Sequence, residues 1–118
     1  VVATPTGSTA YALSGGGPVL HPGLNALALV PICPHTLSDR PLIVDADHEI
    51  EIRVAETLDG AALFTSDGQV SQPLGAGDCV HIRRGAHDLK LIHPPNYDYF
   101  NILRNKLQWG RGQKLAHS

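Results

Sequence analysis

The segment Thr4-Pro5-Thr6-Gly7-Ser8-Thr9-Ala10-Tyr11 concentrates residue types that bind small molecules. It follows the apolar Val1-Val2-Ala3, which reads as the end of a strand, and runs into Ala12-Leu13-Ser14. A strand that turns through Gly, Ser and Thr into a helix start leaves N–H groups without intrahelical partners. Those donors and the helix dipole suit phosphate or another anion. The hydroxyls of Thr6, Ser8 and Thr9 add donors, and Tyr11 adds a flat ring for a base or a sugar. The competing reading is plain capping by Ser8 or Thr6, since turns rich in Ser and Thr commonly do only that. The segment is not a P-loop, because the GxxxxGK[ST] spacing and its lysine are absent. Nor is it a GxSxG nucleophile elbow.

Other chemistry-bearing residues are scattered. Seven histidines occur: His21, His35, His48, His81, His87, His93 and His117. No pair has HxxxH spacing, and neither Cys33 nor Cys79 lies in a CxxC, so no metal site is expected. His81 and His87 straddle a turn and could meet across a hairpin, but surface histidines are the simpler reading. Asp45-x-Asp47 reads as a loop that ends a strand rather than a cation site. Asp67, beside Gly68 and Gln69, is either a turn aspartate satisfying its own backbone or a group facing a ligand. Ser8, His35 and Asp67 make a triad only on paper, because triads are recognised by geometry.

The elements that must position these residues are mostly strands. Ser14 closes a short helix at Ala10–Ser14, since Gly15-Gly16-Gly17-Pro18 cannot continue it. Ala26–Val30 is an apolar run stopped by Pro31, and Leu42–Val44 is a second strand. Ile50, Ile52 and Val54 alternate with Glu49, Glu51 and Arg53, the pattern of a strand with one wet face. After a turn at Leu58-Asp59-Gly60, Ala61–Thr65 forms the next strand, and Asp67-Gly68 and Gly75–Asp78 are further turns. Val80 and Ile82 are expected to pair with Leu89 and Leu91 around Gly85. Beyond Pro94-Pro95, Tyr99, Phe100, Leu103 and Leu107 recur at helical spacing, ending near Gly110. The expectation is a mainly β (α+β) chain with a short helix in front and a longer one behind. The β domain would span residues 1–95, and the helix with its basic tail residues 96–118.

Composition narrows the classes. The chain has 118 residues and 42% hydrophobic residues, enough for one domain with a core. Two cysteines are too few for a disulfide framework, so a reduced, cytoplasmic setting is expected. No apolar run approaches the ~18 residues of a membrane span. Residues 1–98 carry 5 basic and 11 acidic side chains, whereas residues 99–118 carry 4 basic and none acidic. The body is too acidic for a typical nucleic-acid binder. The basic tail (Arg104, Lys106, Arg111, Lys114) is a solvated face or a dock for an acidic partner. Opening in mid-strand suggests the C-terminal part of a longer protein.

Taken in order, these motifs resemble the NAD kinase family. TPTGSTAY at residues 4–11 is followed by Ser14 and Gly16-Gly17-Pro18. Leu29-Val30-Pro31-Ile32-Cys33-Pro34-His35-Thr36-Leu37-Ser38 and Arg40-Pro41-Leu42 follow. Ser66-Asp67-Gly68-Gln69 resembles the turn near the family's nucleotide pocket. Ile82-Arg83-Arg84, Leu91-Ile92-His93-Pro94 and Tyr97 to Trp109 resemble its closing strand and helix.

The resemblance implies the C-terminal β-sandwich domain of an enzyme that phosphorylates the 2′-hydroxyl of the adenosine ribose of NAD. ATP or polyphosphate would be the donor, with a divalent metal ion, Mg²⁺ being expected. Thr6, Gly7, Ser8, Thr9, Ala10, Tyr11, Ser14 and Gln69 would line the NAD site. The family's GGDG aspartate and its Asn-Glu pair belong to a preceding α/β domain and do not occur here. No catalytic residue is therefore expected in this chain, and the isolated chain is expected to be inactive. Tyr99, Phe100, Leu103, Leu107 and Trp109 would pack on that preceding domain. The family's habit implies a homo-oligomer, a dimer or tetramer, with no nucleic acid or membrane as partner. Two rivals are a non-catalytic nucleotide-binding or assembly module and a lipid kinase of the diacylglycerol or sphingosine type. No amphipathic membrane-binding stretch favours the latter.

Overall fold

A computed structural model describes residues 1–32, 40–57 and 59–109, apart from the side chains of Tyr11 and Ser14. Most of the loop after Val30, Leu58 of one turn, Gly110, Arg111, Lys114 and His117 lie outside the described residues. The chain forms two compact units, Val1–Ala86 and His87–Ser118.

The first unit is built of antiparallel strands, as its alternating runs and glycine turns require. β1 (Val2–Ala3), β2 (Ala26–Leu29) and β3 (Leu42–Asp45) form one sheet in the order β1-β2-β3. Ala28 sits opposite both Ala3 and Ile43. Ala28 and Val30 are fully buried and form the core with Ala3, Ala12 and Leu20. β2 ends at Leu29, one residue short of the expected Val30 and close to Pro31, which has no N–H to extend the ladder.

Between β1 and β2 the chain makes a 3₁₀ turn, Thr6–Thr9, and then a helix α1, Tyr11–Ser14. The expected helix thus starts one residue late. Neither Ser8 nor Thr6 caps it: Pro5 precedes the 3₁₀ turn and no side chain caps it there. The hydroxyl of Thr4 instead accepts the Gly7 N–H at 3.1 Å. α1 stops at the glycines by a paired closure. The Gly16 N–H donates to the Leu13 carbonyl and the Gly17 N–H to that of Ala12. Gly16 has φ +88, the left-handed conformation such an ending needs.

β4 (Ile50–Arg53) pairs with β7 (Cys79–Ile82), and β5 (Ala62–Ser66) with β6 (Val70–Leu74). The expected pairing of Val80 and Ile82 with Leu89 and Leu91 does not form. Residues 83–98 contain no helix or strand, and Leu89 and Leu91 are exposed. The partner is β4, whose alternation matches: Ile50 faces Ile82 and Ile52 faces Val80, while Glu51 lies opposite His81. Like sides of the two strands therefore carry like residues, apolar on one and polar on the other.

β5 and β6 are joined by Asp67-Gly68, with φ +51 and +69 and a Gln69 N–H to Ser66 carbonyl bond of 2.9 Å. Two successive positive φ values mark the tight turn whose twist matches flanking strands.

In the second unit, Tyr97 closes a turn onto the Pro94 carbonyl, and its ring stacks on His93 at 3.8 Å. α2 runs Tyr99–Leu107, as the spacing predicts. Asp98 caps it, accepting the N–H groups of Phe100 and Asn101. It ends at Gln108, which adopts φ +59, rather than at Gly110. The described elements bear out the mainly β (α+β) expectation.

Candidate functional site

The floor of the candidate site is the end of β1 and the turn that follows it. Its opposite wall is β5 with its hairpin turn. Together they enclose a groove of about 930 Å³. Val1, Val2, Ala3, Thr4, Gly7, Ala10 and Ala12 line the first side, and Leu63, Thr65, Asp67 and Gly68 the second. The second set follows from strand geometry. Alternate side chains share a face, so Leu63 and Thr65 of β5 point the same way, and the turn that follows brings Asp67 and Gly68 to the same groove.

The TPTGSTAY segment divides sharply within this site. Gly7 and Ala10 line the groove. Ser8 does not: it is fully buried, donating to the Pro5 carbonyl at 2.6 Å and accepting the Leu20 N–H at 2.9 Å. Its hydroxyl ties the turn to the segment leading into β2. Thr9 donates to the Thr6 carbonyl at 3.5 Å. Thr6 is exposed and does not line the groove, and Gln69 lies just beyond the hairpin residues that do. The side chains of Tyr11 and Ser14 are outside the described set.

The expected free donors of the turn are largely spent. The Gly7 N–H is held by Thr4, the Ser8 N–H by the Pro5 carbonyl and the Ala10 N–H by the Gly7 carbonyl. The reason is the 3₁₀ geometry, whose short i→i+3 bonds satisfy groups that an α-helix start would leave free. The groove is therefore apolar and lightly polar, not an anion cradle. Its polar side chains are the hydroxyls of Thr4 and Thr65 and the Asp67 carboxylate.

Other candidates settle into local roles. Asp45 accepts the Asp47 N–H at 2.8 Å and the Asn25 amide at 3.2 Å. His81 pairs with Glu49 at 2.9 Å. His81 and His87 fall in different units. On the same face of β4 and β7, Arg53 binds Glu51 at 2.9 Å. The Cys79 thiol donates to Glu51 at 3.6 Å. Hydrogen bonding to Arg53, then to Cys79, holds the Glu51 carboxyl below the usual glutamate range. Among the described residues, no three His, Cys, Asp or Glu side chains gather to hold a metal ion. No helix there is long and apolar enough to cross a membrane.

Sequence reasoning missed Val1, Val2, Leu63 and Thr65. The alternation of β5, which puts Leu63 and Thr65 on one face, was the signal that could have found the last two.

A strand, a glycine-containing turn and a facing hairpin thus border one groove of the first unit. The ATP-NAD kinase C-terminal domain family matches residues 1–94, and the chain belongs to that family. It is 55% identical over 109 residues to the NAD kinase of Photobacterium profundum, covering 92% of this chain and 37% of that protein. It is 52% identical over 111 residues to the NAD kinase of Acinetobacter baylyi, covering 94% and 36%. The chain thus spans little more than a third of the length of these relatives. Among solved structures, yeast NADH kinase complexed with NADH superposes with a TM-score of 0.78 at 29% identity. That match covers 92% of this chain and 34% of the yeast chain. An NAD kinase from Archaeoglobus fulgidus in complex with ATP gives a TM-score of 0.61 at 35% identity, over 72% and 31%. The mainly β C-terminal domain of NAD kinases is therefore the fold of this chain.

Proposed function

We propose that this chain is the dinucleotide-facing C-terminal part of an NAD kinase, which transfers a phosphoryl group to the 2′-hydroxyl of the adenosine ribose of NAD. ATP or polyphosphate is the donor. One observation carries the reading: the TPTGSTAY segment, which lies within the residues that the family matches, forms one wall of the groove through Gly7 and Ala10. The remaining residues expected at the NAD site divide by role. Ser8 and Thr9 hold the turn in shape, while Thr6, Tyr11, Ser14 and Gln69 flank the wall and the hairpin. The NADH and ATP held by the two structural relatives are ligands of the kind this reading requires.

The chain supplies binding and positioning, not the full reaction. Phosphoryl transfer depends on holding the donor and acceptor in line and on neutralising phosphate charge. Asp59-Gly60 and Asp67-Gly68 are this chain's Asp-Gly pairs, and neither sits in a GGDG. Among the described residues, no cluster of three His, Cys, Asp or Glu side chains would hold the Mg²⁺ expected with ATP. The general base and the rest of the NAD site belong to a preceding domain, and the reaction takes place in a cytoplasmic homo-oligomer.

The test is a sensitive assay for NADP with the purified chain, NAD, ATP and Mg²⁺. No NADP above background is the expected result. Turnover by the 118-residue chain would contradict the assignment of the base to another domain.

A further inference from the structure

The groove has a single ionisable side chain, Asp67, among its lining residues. Its situation differs from that of Asp45, Asp78 and Asp98. Asp45 accepts the Asp47 N–H, Asp78 the Gly75 N–H at 2.7 Å, and Asp98 two N–H groups at the start of α2. Those three carboxylates are consumed by their own backbone. Asp67 makes no hydrogen bond or ion pair among the described residues, and it sits exposed at the groove wall. Its turn does not need the carboxylate, since the Gln69 N–H to Ser66 carbonyl bond closes the hairpin.

A carboxylate accepts hydrogen bonds and repels phosphate. The groove wall adds no lysine or arginine to offset it, and the turn N–H groups of Gly7, Ser8 and Ala10 are already bonded. We infer that Asp67 is a specificity-determining residue that accepts hydrogen bonds from a ribose diol and disfavours a ribose bearing phosphate. An acidic side chain on a ribose diol is a recurrent way of preferring NAD over NADP. The inference rests on the proposed function and deepens it: Asp67 favours the unphosphorylated dinucleotide over the phosphorylated product, and so helps the product leave.

The experiment is a titration of the ¹⁵N-labelled chain with NAD and with NADP, read at the amides of Gly7, Ala10 and Gly68. Wild type is compared with Asp67→Asn and Asp67→Gly at one ionic strength. Asn and Gly both accept the positive φ at this position, so the hairpin is kept. Unshifted Ala62 and Leu74 amides verify this. Wild type should bind NAD about tenfold or more tighter than NADP, the scale of repulsion between close charges. The ratio should fall to within about threefold in both variants, which lack that charge. A ratio near one in wild type, or one unchanged by either substitution, overturns the inference while leaving NAD binding in place. No shift at the groove with millimolar NAD in wild type overturns both the inference and the groove as the NAD site.

Discussion

Gly17 shows how closely single residues constrain this domain. A Cβ added there would lie 2.6 Å from Val30 Cγ2 and 2.8 Å from the Ala12 carbonyl oxygen. The second neighbour is backbone of α1 and cannot swing aside. Gly17→Ala should therefore lower stability by about 1–3 kcal/mol through overpacking, measured by urea denaturation. Glu51 offers a pH-dependent counterpart. Its carboxyl is held below the usual range by Arg53 first and Cys79 second. The folded state thus favours the ionised form. The resulting stabilisation is present above the unfolded-state pKa and disappears as pH falls through the lower folded one. Glu51→Gln should lower the melting temperature slightly at neutral pH, and the gap should close in acid. A gap that widens in acid would show the opposite sign of coupling. The effect is small because the pair is exposed to solvent.

At the scale of elements, hairpins and helix ends are the readable parts. Asp67-Gly68 declares a tight turn because both positions need positive φ. Asp98 was not singled out, yet it binds two N–H groups of α2. Asp98→Ala should cost about 1 kcal/mol, the usual worth of such a cap, seen as a lower helix content and melting temperature. What was not legible was pairing between distant segments. The alternation of Val80 and Ile82 fits several partners equally well, and nearness in sequence favoured Leu89 and Leu91. The register with Ile50 and Ile52 depends on how the whole unit closes. The 3₁₀ turn at Thr6–Thr9 was equally hidden. Ser8 reads as a cap from its type, and only the fold brings the Leu20 N–H to its hydroxyl. The chemistry of the segment was visible in its residues; which of them face the groove was not.

At the scale of the molecule, the balance between core and surface matters most. The core cluster is small: Ala3, Ala12, Leu20, Ala28 and Val30. Leu42, Leu63 and Val70 of the strands are exposed, as are Phe100, Ile102 and Trp109 in and just after α2. Apolar surface of this extent favours association. The purified chain should show concentration-dependent growth in mass by light scattering, and a constant monomer mass at high concentration would contradict this. In the proposed function, the groove between the β1 turn and the β5–β6 hairpin receives NAD. The most direct test of this assignment is a residue-resolved NMR titration of the chain with NAD. Saturable shifts are expected at Thr4, Gly7 and Ala10 together with Thr65 and Gly68, while the β4–β7 pair stays unmoved. Shifts confined to β4–β7 or to α2, or none at either groove wall, would contradict it.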